Sequence, residues 1–275
     1  MTGRFKRGLA VVDDSVDIFR TNPRLALLPL LSLLAIGSAF AVVLGIALRY
    51  GAVDSVLMND LLKYAAIFVG IAVSSSVGTF FNAAVVHCAA RYFRGEDPSV
   101  REGLEAAWRV RRKIALWSVT AATLGTVLYI VDENFGVFGS LARFLFDLAW
   151  SLLTFFIVPV IVLEETGSLR TLLRESGEIF KETWGESVTA SLGIGLVFLP
   201  VALVGIGAVG WAYLFGSGAA AYLVGAAGFL VAVAALVGSQ VVGMVARTAL
   251  YRYATDEERV GPLDGRDPES VFAAE

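Results

Sequence analysis

The feature that most restricts the fold of this chain is residues 25–48, a run of 24 residues without one charged side chain. About 20 consecutive apolar residues are enough for a helix to cross the hydrocarbon layer of a bilayer. A backbone in lipid must satisfy its own hydrogen bonds, so such a run has to be helical. It is too long for the apolar core of a signal peptide, and we therefore expect a retained membrane span.

Further apolar runs of membrane length follow the first. The 275 residues are 57% hydrophobic and only 17% charged, with a mean hydropathy of +0.72, which lies outside the range of soluble domains. We predict an all-α, polytopic membrane protein with six transmembrane helices and no soluble catalytic domain. The predicted spans are 25–48, 63–90, 114–131, 144–163, 188–215 and 219–250.

The distribution of basic residues predicts the orientation. The four segments on one side of the predicted spans hold 19 Lys and Arg, whereas the three outer loops with their adjacent span ends hold 3. Loops rich in Lys and Arg stay in the cytoplasm. We therefore expect a multi-pass protein of the plasma membrane with both termini in the cytoplasm.

Two seven-residue segments resemble each other, DSVDIFR at 14–20 and ESGEIFK at 175–181. Each has an acid, a serine, a second acid, then Ile-Phe and a base, and each lies shortly before a predicted span. A weaker third copy is GLEAAW at 103–108. We predict cytoplasmic amphipathic helices before spans one, three and five. A single membrane domain at 1–253 would then contain three helix-plus-two-span units, about 1–93, 94–165 and 166–253, before an acidic flexible tail at 254–275.

The spacing of apolar residues predicts which faces of these helices are buried. Positions three and four apart lie on one face of a helix, and a helix with one such face can lie in the membrane interface. We expect the intervening acids to remain in water. The predicted buried residues are Leu9, Val12, Val16 and Phe19 in the first helix and Leu169, Leu173, Phe180 and Trp184 in the second, and the predicted wet residues are Asp14, Asp17, Glu175 and Glu178.

Three polar residues within predicted spans are candidate functional positions: Asn82, Asp147 and Gln240. A polar side chain in a membrane helix either hydrogen-bonds to a neighbouring helix or marks a path for a substrate or ion. Asn82 continues a stripe of small residues four apart, which favours packing. Asp147 is four residues after Arg143, so the two can pair on one helix face at the outer interface. A substrate or proton site at Asp147 is the alternative.

The segment between spans two and three carries seven basic residues. Such a cluster sets the orientation, and beside a membrane it also attracts anionic lipid headgroups. The residues that we expect to contact headgroups are Arg109, Arg111, Arg112 and Lys113.

Residue counts and missing motifs restrict the chemistry. A single cysteine, Cys88, and a single histidine, His87, do not suffice for a thiolate or imidazole metal site. No nucleotide-binding, zinc or Ser-His-Asp motif occurs, and the adjacent acids Glu164 and Glu165 point about 100° apart on a helix. We therefore predict no catalytic residues, no cofactor, no metal and no nucleic-acid partner.

A set of local motifs resembles a known family. The motifs are Asn22-Pro23, Leu28-Pro29-Leu30-Leu31-Ser32, the RYFRGE loop at 91–96, and the segment from Val158-Pro159 onward that is followed by Arg174-Glu175-Ser176. They are similar to a six-span family of archaeal and bacterial membrane proteins, a domain of unknown function. More distantly, they resemble the membrane domain of some glycerophosphodiester phosphodiesterases. The resemblance implies the six-span fold but no catalytic residue, and the soluble phosphodiesterase domain has no counterpart in these residues.

Three functions are compatible with the sequence. The first is a membrane protein without enzymatic activity that organises lipids or a membrane-protein partner through its cytoplasmic amphipathic segments. The second is a small carrier for a lipid or apolar solute, for which a polar cavity at the midplane would be evidence. The third is an intramembrane hydrolase or transferase, which requires the acids Asp132, Glu133 and Asp147 to converge.

Overall fold

A computed structural model describes residues 2–164 and 168–255, and this part of the chain is helical throughout, without strands. The acidic tail predicted at 254–275 lies almost entirely outside the described residues. The helices are α1 (Thr2–Thr21), α2 (Leu27–Arg49), α3 (Ala52–Met58), α4 (Asp60–Tyr92), α5 (Val100–Arg109), α6 (Arg111–Leu153), α7 (Ile157–Leu163), α8 (Leu169–Phe215) and α9 (Gly218–Ala254), with a 3₁₀ turn at Pro23–Ala26.

The helices group into two compact units. Among the described residues, the terminal unit comprises those up to Leu27, Ala89–Glu96 and those from Thr183 to Thr255. It therefore contains α1, the end of α4, most of α8 and α9. The central unit comprises Leu28–Cys88 and Asp97–Glu182.

Five helical segments in the described part are long and apolar enough to cross a membrane, where the sequence predicted six spans. The difference arises at Arg111–Leu163, which forms one helical segment where spans three and four were expected. The other four segments each contain one predicted span. The segment Ala52–Met58, expected to be part of a loop, is a short helix.

The chain reverses direction within α6. Gly136 has a φ of 55° and a ψ of −133°, a left-handed conformation that glycine adopts without a Cβ clash. Trp117 and Trp150 stack with ring centroids 5.6 Å apart, and Lys113 Nζ donates to the carbonyl oxygen of Ile161 at 3.3 Å. A straight helix would separate residues 113 and 161 by about 70 Å. Residues 111–163 therefore fold back on themselves as an antiparallel hairpin.

Non-helical dihedral angles also occur in α8, at Thr183 (φ −106°, ψ 15°). Trp184, the last residue of the apolar face predicted for this segment, lies next to this position. Pro200 lies inside the helix that follows Thr183. Residues 169–182 of α8 thus precede the irregularity, and the rest of α8 follows it.

The last two long helices form a closely packed hairpin in the terminal unit. A Cβ added to Gly205 would lie 2.6 Å from the Gly228 carbonyl oxygen and 2.6 Å from the Ala232 backbone nitrogen. A Cβ on Gly228 would in turn lie 2.7 Å from the Gly205 carbonyl oxygen. Small residues let membrane helices approach until their backbones touch, which explains these glycines.

The small residues of α2 have a different environment. Gly37, Ala41 and Gly45 are spaced four apart, a pattern that is typical of a close contact between membrane helices. Within the described chain no atom lies within 4 Å of a Cβ built on Gly37 or Gly45, and all three residues are exposed. The stripe is therefore not used in packing between the described helices, because α2 turns this face away from them.

Candidate functional site

We call α1, α5 and residues 169–182 of α8 the lead helices, because each precedes a pair of long antiparallel helical segments. They contain the three segments that the sequence predicts to be copies of one repeat. Adding 88 to a residue number in the α1 copy gives the equivalent residue of the α5 copy, and adding 161 gives the equivalent residue of the α8 copy.

The buried face of α1 differs from the predicted one. Ser15 and Ile18 are buried at 1% and 2% exposure, whereas Leu9 is 41% exposed. Of the predicted face only Val12 is buried, and Val16 and Phe19 are half-buried. The reason is close contact through small residues: a Cβ on Gly8 would lie 2.6 Å from the Thr189 side chain of α8. Leu9, Val16 and Phe19 consequently lie at the edge of the contact, whereas Val12 and Ile18 lie within it.

The first part of α8 has the same pattern. Leu172, Ser176 and Ile179 are buried, and Thr183 continues their spacing. Trp184, predicted to be buried, is 55% exposed because Thr183 occupies the buried position. Leu169, Leu173 and Phe180 are half-buried.

The acids of the two copies divide into two classes. Asp17 and Glu178 are exposed, as predicted, and each pairs with a base of its own helix, Arg20 and Arg174. Asp14 and Glu175 were also predicted to be wet. Both are half-buried, and both have interaction partners. Their position next to the buried serine explains this, since adjacent residues on a helix lie about 100° apart.

The lead helix α5 begins with a serine N-cap, Ser99. Ser99 Oγ accepts the backbone N–H of Glu102 at 3.2 Å and donates to the Glu102 carboxylate at 3.0 Å. The helix then packs on α4 through Gly103, where an added Cβ would lie 2.8 Å from the Ala84 carbonyl oxygen and 2.8 Å from Cys88 Sγ. Buried Ala106 and Ala107 continue the contact face.

An open groove of about 570 Å³ lies beside α5, and we call it the α5 groove. Its aromatic residues, Phe80 and Trp108, meet edge to face with ring centroids 6.5 Å apart. Arg101 pairs with Glu105 at 2.9 Å on the same helix. The lining residues are Phe80, Arg101, Leu104, Glu105, Trp108 and Arg109.

The structure separates the four predicted lipid-headgroup residues. Arg109 lines the α5 groove, and Arg111 places its guanidinium 5.2 Å from the centroid of the Trp108 ring. Arg112 is exposed near them in sequence. Lys113 is instead half-buried, and its ammonium donates to the backbone carbonyls of Ile161 and Glu164. Lys113 therefore holds the α6–α7 hairpin together, a role that its sequence context did not reveal.

A charged cluster surrounds the Gly136 turn. Arg143 contacts Asp147 at 3.5 Å, the pair expected from their spacing, but its closer partner is Asp132 at 2.9 Å. Glu133 pairs with Lys63 of α4 at 2.6 Å. Each of these acids thus has a basic partner, and the arrangement balances charge between helix ends.

The other predicted polar positions lie in different units. Asn82 is in the central unit and Gln240 is in the terminal unit. Both are partly exposed, and neither is without a partner. Glu165 lies outside the described residues. Within the described part of the chain, no group of three His, Cys, Asp or Glu side chains could hold a metal ion.

The sequence did not predict a buried polar group in the terminal unit. Glu186 is 3% exposed and Arg252 is 5% exposed, although both were expected at span ends. Arg252 Nη1 donates to the Ala90 carbonyl oxygen at 2.8 Å, and the Thr183 and Ser187 hydroxyls are 3.1 Å apart. The Arg252 contact fastens the end of α9 to the end of α4, and its sequence separation of 162 residues explains why local patterns missed it.

Comparison with known proteins completes these observations. No curated protein and no solved structure matches the chain. The model of a family of unknown function, DUF6159, matches residues 61–261, which is most of the 275 residues. The matched range begins in α4 and covers every helix that follows it. The chain therefore belongs to the family of unknown function DUF6159.

Proposed function

We propose that this protein is a multi-pass protein of the plasma membrane that organises lipids, or a membrane-protein partner, through its lead helices on the cytoplasmic side. The observation that carries the proposal is the common burial pattern of the three copies. The positions are numbered as in DSVDIFR, so that the α5 copy begins at Glu102. In each copy the second and fifth positions are buried and the fourth and seventh are exposed. The buried pairs are Ser15 and Ile18, Gly103 and Ala106, and Ser176 and Ile179.

The pattern supports this function because it leaves one face of each lead helix open. One face is packed on protein, and the opposite face carries charged residues beside half-buried and exposed apolar side chains. Helices with this arrangement bind at the headgroup level of a bilayer. We propose six spans, in which residues 111–163 cross the membrane twice because the chain reverses at Gly136.

We also propose that the chain consists of three repeated units, about 1–93, 94–165 and 166–253. The packing partners of the lead helices support this. In the central unit α5 packs on α4, and Ser176 of α8 accepts the Phe156 backbone N–H at 3.1 Å from the α6–α7 hairpin. In the terminal unit α1 packs on α9. Each lead helix thus contacts the second long helical segment of a different repeated unit. The lead helix α1 contacts that of 166–253, α5 contacts that of 1–93, and the lead part of α8 contacts that of 94–165.

The alternatives have less support. A hydrolase or transferase would need Asp132, Glu133 and Asp147 to converge on a substrate, whereas Asp132 and Asp147 bind Arg143 and Glu133 binds Lys63. A carrier remains the second candidate on the basis of the partly exposed Asn82 and Gln240. An archaeal or bacterial source and a distant likeness to glycerophosphodiester phosphodiesterase membrane domains stay part of the proposal, on the motifs quoted above.

The topology is tested with reporter fusions. We expect fusions after Gly51, Asn134 and Gly216 to be external and those after Gly95 and Ala254 to be cytoplasmic. A cytoplasmic reading after Asn134 would show that residues 111–163 do not cross twice. A single reversed reading at another position would overturn the predicted orientation.

Lipid extraction tests the function. The protein is purified in mild detergent, and its retained lipids are quantified by mass spectrometry against the lipid composition of the source membrane. We expect enrichment of anionic lipids or a stoichiometric membrane-protein partner. If neither is retained, and if the protein moves a lipid or apolar solute across vesicles, the carrier hypothesis replaces this proposal.

A further inference from the structure

The α5 groove combines an apolar floor with an excess of positive charge. Its volume of about 570 Å³ is in the range of ligand-binding pockets. Phe80, Leu104 and Trp108 form the apolar part, and Trp108 is 61% exposed. Tryptophan is enriched where a membrane protein meets the boundary between acyl chains and headgroups.

The depth of α5 follows from its contacts with α4. Gly103 lies against Ala84, and Trp108 meets Phe80. Phe80 is 12 residues before the end of α4 at Tyr92, which corresponds to about 18 Å along the helix axis. The groove therefore extends along the side of α4. A chain-like apolar group can lie in the groove against this side.

The cations around the groove are available to an anion. Arg101 is paired with Glu105, but in the described part of the chain neither Arg109 nor Arg112 has a carboxylate partner. Arg111 stacks on Trp108 and donates to the Trp108 carbonyl oxygen at 3.0 Å, which fixes its guanidinium beside the aromatic wall. A guanidinium held in this way forms bidentate hydrogen bonds with a phosphate.

We propose that the α5 groove binds one anionic phospholipid, with the phosphate at Arg109 and Arg111 and an acyl chain along Phe80, Leu104 and Trp108. The inference rests on the proposed function, because it assumes that α5 lies at the cytoplasmic surface of the membrane. A soluble phosphate would use the arginines but not the apolar floor. A zwitterionic lipid would use the floor but would gain little from the unpaired cations.

Quenching of tryptophan fluorescence by brominated lipids tests the site. The full chain is placed in nanodiscs that contain phosphatidylcholine and a variable fraction of phosphatidylglycerol, with bromine on the acyl chains of one lipid at a time. The chain has five tryptophans, so the quenching that is lost in Trp108→Phe gives the contribution of Trp108. Lipid retained by the same samples after detergent extraction is measured in parallel.

We expect phosphatidylglycerol to be favoured over phosphatidylcholine at Trp108 by about fivefold or more, since each cation at the surface contributes roughly a fivefold preference for anionic lipid. The preference should fall to about one- to twofold in R109Q/R111Q. It should persist in R109K/R111K and in the control R20Q/K181Q, which removes two exposed charges from the other lead helices. If R109Q/R111Q does not fold, R109Q alone carries the test, because Arg109 is exposed.

The outcomes separate the two proposals. Retention of anionic lipid by the whole protein without any preference at Trp108 would overturn the groove assignment and leave the proposed function standing. An equal loss of preference in R20Q/K181Q would also overturn it, because the attraction would then belong to the overall charge. Absence of lipid enrichment in every sample would overturn the groove assignment and leave a membrane-protein partner as the only form of the proposed function that stands.

Discussion

Ser176 and Ser15 occupy the same position in two copies of the repeat, yet their hydrogen bonds differ. Ser176 Oγ accepts the backbone N–H of Phe156 at 3.1 Å, and both residues are fully buried. Phe156 lies at the break between α6 and α7, where its N–H is not used within a helix. Ser15 Oγ donates to the Val11 carbonyl oxygen at 2.6 Å within its own helix. The same substitution, serine to alanine, should therefore have different effects.

The magnitudes follow from what each substitution leaves behind. Ser176→Ala removes the acceptor of a buried N–H, which costs about 1–3 kcal/mol. Ser15→Ala leaves a carbonyl that still accepts the bond of its helix. Alanine also has a higher helix propensity than serine by about 0.5 kcal/mol. We expect Ser15→Ala to change the free energy of unfolding by no more than about 0.5 kcal/mol in either direction.

The measurement is equilibrium unfolding of the two variants and the wild-type protein in mixed micelles with increasing denaturing detergent. Tryptophan fluorescence is a suitable signal, because the stacked Trp117 and Trp150 lie in the hairpin that Ser176 contacts. Equal destabilisation by the two substitutions would refute the reasoning. So would a Ser176→Ala variant as stable as the wild type, since the Phe156 N–H would then have found another acceptor at no cost.

Three further tests, with five substitutions, address the packing. Gly205→Ala should lower the free energy of unfolding by about 1–3 kcal/mol, because its Cβ would lie 2.6 Å from backbone atoms of α9. Gly207→Ala is the control and should be neutral, because nothing in the described chain lies within 4 Å of its Cβ. Equal effects of the two substitutions would contradict the contact. Ile18→Asp, which buries a charge, should destabilise far more than Asp17→Ser, and thermal unfolding followed by circular dichroism would reveal the reverse order. Asn82→Leu should cost on the order of 1 kcal/mol; loss of a cellular phenotype at unchanged stability would favour a functional site.

Local spacing in the sequence predicted those features that depend on one helix alone. The membrane-length segments follow from apolar runs, whose length is set by the bilayer. The pair Arg143–Asp147 was expected from a spacing of four and is present, and Arg174–Glu178 pairs at the same spacing. In each case the helix fixes the geometry, so no information about distant residues is needed.

Contacts between helices could not be predicted in this way. The buried face of α1 is set by Gly8 and Ser15, whose small size allows close approach, and a pattern of large apolar residues does not contain this information. The α5 groove needs Phe80 next to Trp108, and Arg252 needs the Ala90 carbonyl. These contacts join residues that are far apart in sequence. The basic residues near Trp108 were the one local signal for the groove.

The segment of α5 that the sequence predicts to be a third copy differs from the other two for a reason that can be tested. At the position of Ser15 and Ser176, α5 has Gly103, and a Cβ there would lie 2.8 Å from the Ala84 carbonyl oxygen, a backbone atom that cannot rotate away. We therefore expect α5 to require glycine because it packs closer to its neighbour, and the sequence similarity is weak for this reason. Gly103→Ser, which restores the serine of the other copies, should lower the free energy of unfolding by about 1–3 kcal/mol. Gly78→Ser on α4, where nothing in the described chain lies within 4 Å, is the matched control. A Gly103→Ser variant as stable as the control in the same detergent titration would show that close packing is not what removed the serine from this copy.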